Sequence, residues 1–171
     1  MTPVRWDPAR ALEVLHAHGV EHIVVGAFSA VAQGYPLATQ DLDVTPRRAP
    51  DNFDRLAAAL AELNARLRLP REEELPFPLD AKMLWQNDAW TLQTDAGPLD
   101  LDVVPAGTRG YEDLRADAVA DVIDGVPVLL ASLRDVIRMK EASNRPKDNA
   151  QLPALRQTLE VIRARERGKD G

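Results

Sequence analysis

Apolar positions along the chain recur with two periods, near two and near 3.6 residues, and the switches between them are marked by Gly, Pro and Asp. Asp7-Pro8 reads as an N-cap followed by proline in the first helical turn, and Gly19 ends that helix. "EHIVVG" (21–26) is a short buried strand stopping at Gly26, and "AFSAVAQG" (27–34) is a short helix closing at Gly34. "QDLDV" (40–44) is a second strand, stopped by Pro46. In "DNFDRLAAALAELNARLRL" (51–69), Phe53, Leu56, Leu60, Leu63 and Leu67 share one stripe, which predicts a helix across the segment. "PREEELPFPLD" (70–80) reads as a loop, by its prolines and charges. "AKMLWQN" (81–87) and "AWTLQTD" (89–95) read as paired strands joined at Asn87-Asp88, and "GPLDLDVVP" (97–105) as a further strand. Residues 111–132 combine a short helix with one or two strands turning at Asp124-Gly125. Two helices follow, over 132–143 and roughly 147–167, separated by Asn144-Arg145-Pro146. No internal repeat or linker interrupts this order. The pattern predicts one α/β (α+β) domain over 1–171, with a core over about 8–131 and a C-terminal helical pair over about 132–167.

Composition narrows the class. The 171 residues are 45% hydrophobic and 28% charged, a globular balance with enough apolar content for one core. The absence of cysteine excludes disulfides and thiolate metal sites. No apolar run approaches the roughly 20 residues of a membrane span. "MTPVRWDPARALEVL" has no basic segment leading into an apolar stretch, so a cytoplasmic protein without membrane partners is expected. The net charge of −6 argues against coating nucleic acid through a bulk field, though not against a local basic patch. Arg156, Arg163 and Arg167, on one face of the last helix, are either such a patch for RNA phosphates or a solvated face. His16, His18 and His22 are read as surface or structural, because Gly19 breaks the helix that would align them for zinc. Glu72-Glu73-Glu74 is read as a solvated run.

The candidate chemistry lies in the aspartates. Asp41 and Asp43 alternate with Leu42 and Val44, which puts both carboxylates on one face of a strand. Two like charges so placed repel unless a cation lies between them, and the pair is read either as hard oxygen ligands for Mg²⁺ at a strand end or as ordinary polar residues of a solvent-facing edge strand. Asp100 and Asp102 repeat the alternation, so three carboxylates could converge for two-metal phosphoryl chemistry. Gly26, where a strand feeds a helix, either serves a tight turn or lets a phosphate approach the helix start. Lys140 continues the stripe Leu133-Val136-Ile137 of a helix that Ser132 caps, with Asp135 three residues on. A lysine there either snorkels from the last turn or reaches triphosphate oxygens.

Taken together, "VVGAFSAVAQGYPLATQDLDVTP", "TDAGPLDLDVVPAG" and "VLLASLRDVIRMKEASNRPKD" resemble the minimal nucleotidyltransferases of the AbiEii toxin-like group over roughly residues 8–160. The resemblance implies a mixed sheet flanked by helices. It implies transfer of a nucleoside monophosphate from an NTP to an acceptor with Mg²⁺, two ions once NTP is bound. By the same resemblance, Asp41, Asp43 and Asp100 hold metal, and Asp100 also activates the acceptor hydroxyl. Gly26, Ala27, Thr39, Lys140 and Asp148 bind the nucleotide. The acceptor would be a tRNA 3′ end, a protein hydroxyl or a small molecule, with an antitoxin protein as partner. Two positions depart from the pattern: Ala27 replaces a glycine or serine of the turn, and Leu37 replaces a basic residue before Thr39. These departures also fit a module that binds nucleotide or protein without catalysis, or an antitoxin-side protein built for complex formation.

Overall fold

Helix α1 (Pro8–Ala17) starts where the Asp7 carboxylate accepts the Arg10 backbone N–H at 3.0 Å, as the Asp-Pro signal predicts. The computed structural model describes residues 4–69 and 79–171, so most of the "PREEELPFPLD" loop, with its glutamate run, lies outside the described residues. Strand β1 (His22–Val25) leads into α2 (Gly26–Ala32), and β2 (Leu42–Pro46) follows. Helix α3 (Pro50–Glu62) then ends earlier than its apolar stripe predicts. Asn64 takes a left-handed φ of +50°, the chain reverses, and Arg66–Leu67 form a short strand, β3. Leu67 therefore sits in the sheet rather than on the helix.

The second correction concerns the hairpin. Residues 81–87 are not a strand: Asp80 caps a one-turn helix, α4 (Ala81–Leu84), by accepting the Met83 N–H at 2.8 Å. The partner of β4 (Ala89–Thr94) is β5 (Gly97–Asp102), joined at Asp95-Ala96. The Thr94 hydroxyl fixes that turn, donating to Gly97 O at 2.7 Å and accepting from Ala96 N at 3.0 Å. The later elements match the sequence pattern: α5 (Tyr111–Arg115), β6 (Val119–Ile123), β7 (Val126–Leu130), α6 (Leu133–Ser143) and α7 (Pro146–Lys169). Asp124-Gly125, both at positive φ, form the tight turn between β6 and β7.

The strands form one mixed sheet in the order β3-β4-β5-β2-β1-β7-β6. β2 runs antiparallel to β1 and parallel to β5, and β1 runs parallel to β7. Each face carries its own apolar cluster. Val24, Leu42, Val44, Leu99 and Leu101 join α1 and α3 residues such as Leu12, Leu15, Phe53 and Leu56. Ile23 and Val25 point the other way, to Ala30, Val136, Leu152 and Leu155. Fully burying a side chain such as Phe53 or Leu56 contributes about 1.5–3 kcal/mol. The alternation has a direct consequence. With Leu42, Val44, Leu99 and Leu101 committed to the first cluster, Asp43, Asp100 and Asp102 are turned to the face that carries α2 and α6. Among the described residues no helix is long and apolar enough to cross a membrane.

Candidate active site

Asp43 lies opposite Val25 on one side and opposite Asp100 on the other, because β2 pairs with both β1 and β5. The two strands set the carboxylates side by side. Burial first, then the charges of Asp100 and Asp41, push Asp43 from an ordinary 3.8 up to about 7. Asp100 is also raised by burial, but Arg68 opposes this: its Nη2 donates to the two carboxylate oxygens at 3.0 and 3.2 Å. Asp102, two residues on along the same strand, is raised by burial as well.

Gly26 has φ +68°, a conformation that side chains rarely adopt. A Cβ built there would come within 2.2 Å of Asp43 Oδ2. The space that the glycine opens is thus filled by the Asp43 carboxylate, a use distinct from both the tight turn and the phosphate approach expected from the sequence. Nearby, Lys140 Nζ lies 3.3 Å from Asp148 Oδ1, and Arg145 Nε donates to Asp148 Oδ2 at 2.7 Å. Asp148 is only 1% exposed. Its burial raises the carboxyl, but hydrogen bonds from Arg145, Ser143 and Lys140 outweigh this and carry it down to about 2. Lys140 is therefore both partner of a buried carboxylate and a wall residue of the cavity that holds the aspartates.

That cavity, of about 310 Å³, is lined by Gly26, Asp43, Asp100, Lys140 and Asp148, together with Asp102 and Arg145, to which the family resemblance gives no role. Asp102 was visible in the "LDLD" alternation. Arg68 carried no signal, because its segment reads as helix. Asp41 stands exposed one residue before β2, and neither it nor Ala27 nor Thr39 lines the cavity. The charge of Asp41 still reaches Asp43 and Asp100. Among the described residues no group of three carboxylate or imidazole side chains is gathered closely enough to hold an ion. Asp100 faces Arg68, and Asp41 lies outside the strand. The histidines stay apart: His18 pairs with Glu62, and His22 Nδ1 lies 2.9 Å from Val20 O. Arg156 and Arg163 pair with Glu141 at 2.7 Å and Glu160 at 3.3 Å.

No protein-family model matches the chain, and no curated protein matches it. Solved structures do. The crystal structure of ANT(2″)-Ia in complex with adenylyl-2″-tobramycin has a TM-score of 0.55 and 20% identity, covering 96% of this chain and 97% of that one. The solution structure of the antibiotic-resistance factor ANT(2″)-Ia gives 0.50 at 18% identity, over 95% and 90% of the two chains. TM1012 of Thermotoga maritima, a candidate nucleotidyltransferase, gives 0.52 at 15%, over 90% and 91%. The chain has a nucleotidyltransferase-like fold.

Proposed function

We propose that the protein is a Mg²⁺-dependent nucleotidyltransferase that moves a nucleoside monophosphate from an NTP to an acceptor hydroxyl. The observation that carries this reading is the in-register pair Asp43–Asp100 in a cavity that Lys140 also lines. The neighbouring carboxylates Asp43 and Asp100 offer part of a donor set that suits Mg²⁺, which takes one or two carboxylates and completes its shell with water and substrate phosphates. A cation there would relieve the repulsion that helps raise Asp43. Asp43 and Asp100, with Asp41 at the rim, would hold Mg²⁺, which when bound supplies charge stabilisation at the phosphate under attack. Gly26 and Lys140 would bind the nucleotide from the cavity wall, with Asp148 orienting Lys140, and Ala27 and Thr39 would meet it only outside the cavity. Asp100 would orient the acceptor hydroxyl and take its proton as the acceptor oxygen bonds to the α-phosphorus and pyrophosphate leaves.

The resemblance to AbiEii-like toxins supports a tRNA 3′ end as acceptor and an antitoxin as partner. The likeness to ANT(2″)-Ia, seen with an adenylylated aminoglycoside, supports a small hydroxylated acceptor. Incubation with each labelled NTP, Mg²⁺, and either a total RNA and protein extract or aminoglycosides tests both. Label should appear on one acceptor class and vanish in Asp43→Ala while the fold persists. A second reading, nucleotide binding without turnover, is favoured by Ala27 and by the internal ion pairs of Asp100 and Lys140. It predicts metal-dependent NTP binding and no labelled product.

A further inference from the structure

Arg68 is a charged residue bonded to one of the site's carboxylates that the proposed chemistry leaves unused. It follows β3 directly, and its backbone N–H donates to Thr91 O at 3.0 Å, which anchors it against β4. From there the guanidinium reaches over β4 to Asp100 on β5. Nη2 spans both oxygens of the carboxylate, at 3.0 and 3.2 Å, while Nη1 donates to Leu92 O at 3.3 Å. A cation shared by Asp43 and Asp100 would need those same oxygens, and it would meet a fixed positive charge at them. The carboxylate has lone pairs enough for both partners, but a divalent ion and a guanidinium nitrogen held across the same two oxygens repel each other, so the two compete for Asp100.

We propose that Arg68 is a resident counter-ion of Asp100 that a metal ion must displace, so that Arg68 sets the metal affinity of the site. The inference rests on the metal-dependent reading above. Displacement is favoured by charge, because a divalent ion attracts the carboxylate more strongly than a guanidinium does. It is also favoured by exposure: the Arg68 and Asp100 side chains are 33% and 29% exposed, so the released guanidinium can be hydrated where it stands.

The test is Mn²⁺ affinity, by calorimetry or electron paramagnetic resonance, on the wild type, Arg68→Met and Arg68→Lys, with melting temperatures in the presence and absence of Mn²⁺. Arg68→Met should bind Mn²⁺ about five- to tenfold more tightly, the equivalent of losing one partly exposed charged hydrogen-bond partner. It should melt below the wild type without metal, and the gap should close at saturating Mn²⁺. Arg68→Lys keeps the charge but loses the Nη1 bond to Leu92 O that steadies Nη2 across the carboxylate. It should also bind more tightly than the wild type, and it carries the test if the methionine variant does not fold. A merely structural arginine predicts the same melting loss with and without Mn²⁺ and unchanged affinity, which would overturn the proposal, as would weaker binding by Arg68→Met. If neither the wild type nor the variants bind Mn²⁺, alone or with a non-hydrolysable NTP analogue, the metal reading itself fails and the displacement with it.

Discussion

Gly26 and Asp43 cannot be varied independently, because the carboxylate of one fills the space where the other would carry a side chain. Gly26→Ala should cost about 1–3 kcal/mol, from the left-handed φ and the displaced carboxylate together. In an Asp43→Ala background the steric part disappears and the backbone part remains. The cycle of four proteins, read by urea denaturation, should show a coupling of about 0.5–2 kcal/mol. Additive costs would mean that the carboxylate moves aside freely. Lys140 and Asp148 make a second linked pair. Lys140→Met should lower stability by about 1–2 kcal/mol, less than a fully stranded buried charge would, because Arg145 still holds Asp148. NTP affinity measured on the same variant should fall as well; unchanged affinity would make the lysine a structural partner alone. The aspartate alternation was legible in the sequence because a strand forces parity on its side chains. The ion pair of Arg68 was not, because it depends on which strand lies beside which, and neither were those of Asp148, which depend on how α7 turns back on α6.

The hairpin shows how local signals compete. Asn87-Asp88 and Asp95-Ala96 both offer a turn, and the local pattern alone favours the first. The Thr94 hydroxyl, bonded on both sides of the second turn, and the Asp80 cap on α4 decide for the other. A similar contest ends α3 at Glu62, where Asn64 adopts a left-handed φ although the apolar stripe continues to Leu67. In α7 the outcome is reversed. The helix continues past Pro153, whose missing N–H and ring oppose the turn before it. Leu152 and Leu155, buried in the second cluster on either side, hold it in place. Since Pro153 is exposed, Pro153→Ala should stabilise the protein by about 1–3 kcal/mol without loss of packing. Thermal melting checks this, and a lower melting temperature would show that α7 uses the proline to set its path.

The whole protein should register its two most perturbed carboxylates as opposing limbs of one stability profile. Between about pH 4 and 7 the folded protein retains a proton at Asp43 that the unfolded chain has released, so metal-free stability falls as pH rises through that window. Asp148 acts in the other direction: its contribution is full above about pH 4 and is lost as pH falls toward 2. Denaturation in chelator across this range should show the Asp43 limb, worth roughly 2–4 kcal/mol, disappear in Asp43→Asn. Saturating Mg²⁺ should restore stability at pH 7 and do little at pH 4. A profile identical in Asp43→Asn would remove the aspartate from this account. The register of β2 with β5 also bears on the order in which the chain folds. Gly26 and Asp43 belong to one local strand–helix–strand unit, Asp100 to a separate hairpin, and Lys140 to a helix formed later in the chain. None of these pieces holds two of the site's opposing walls by itself. Asp43 and Asp100 first meet when the hairpin docks beside β2, so their mutual repulsion should be felt at that encounter rather than in the pieces, and a dissolved cation should act there as an assembly partner that speeds the final docking.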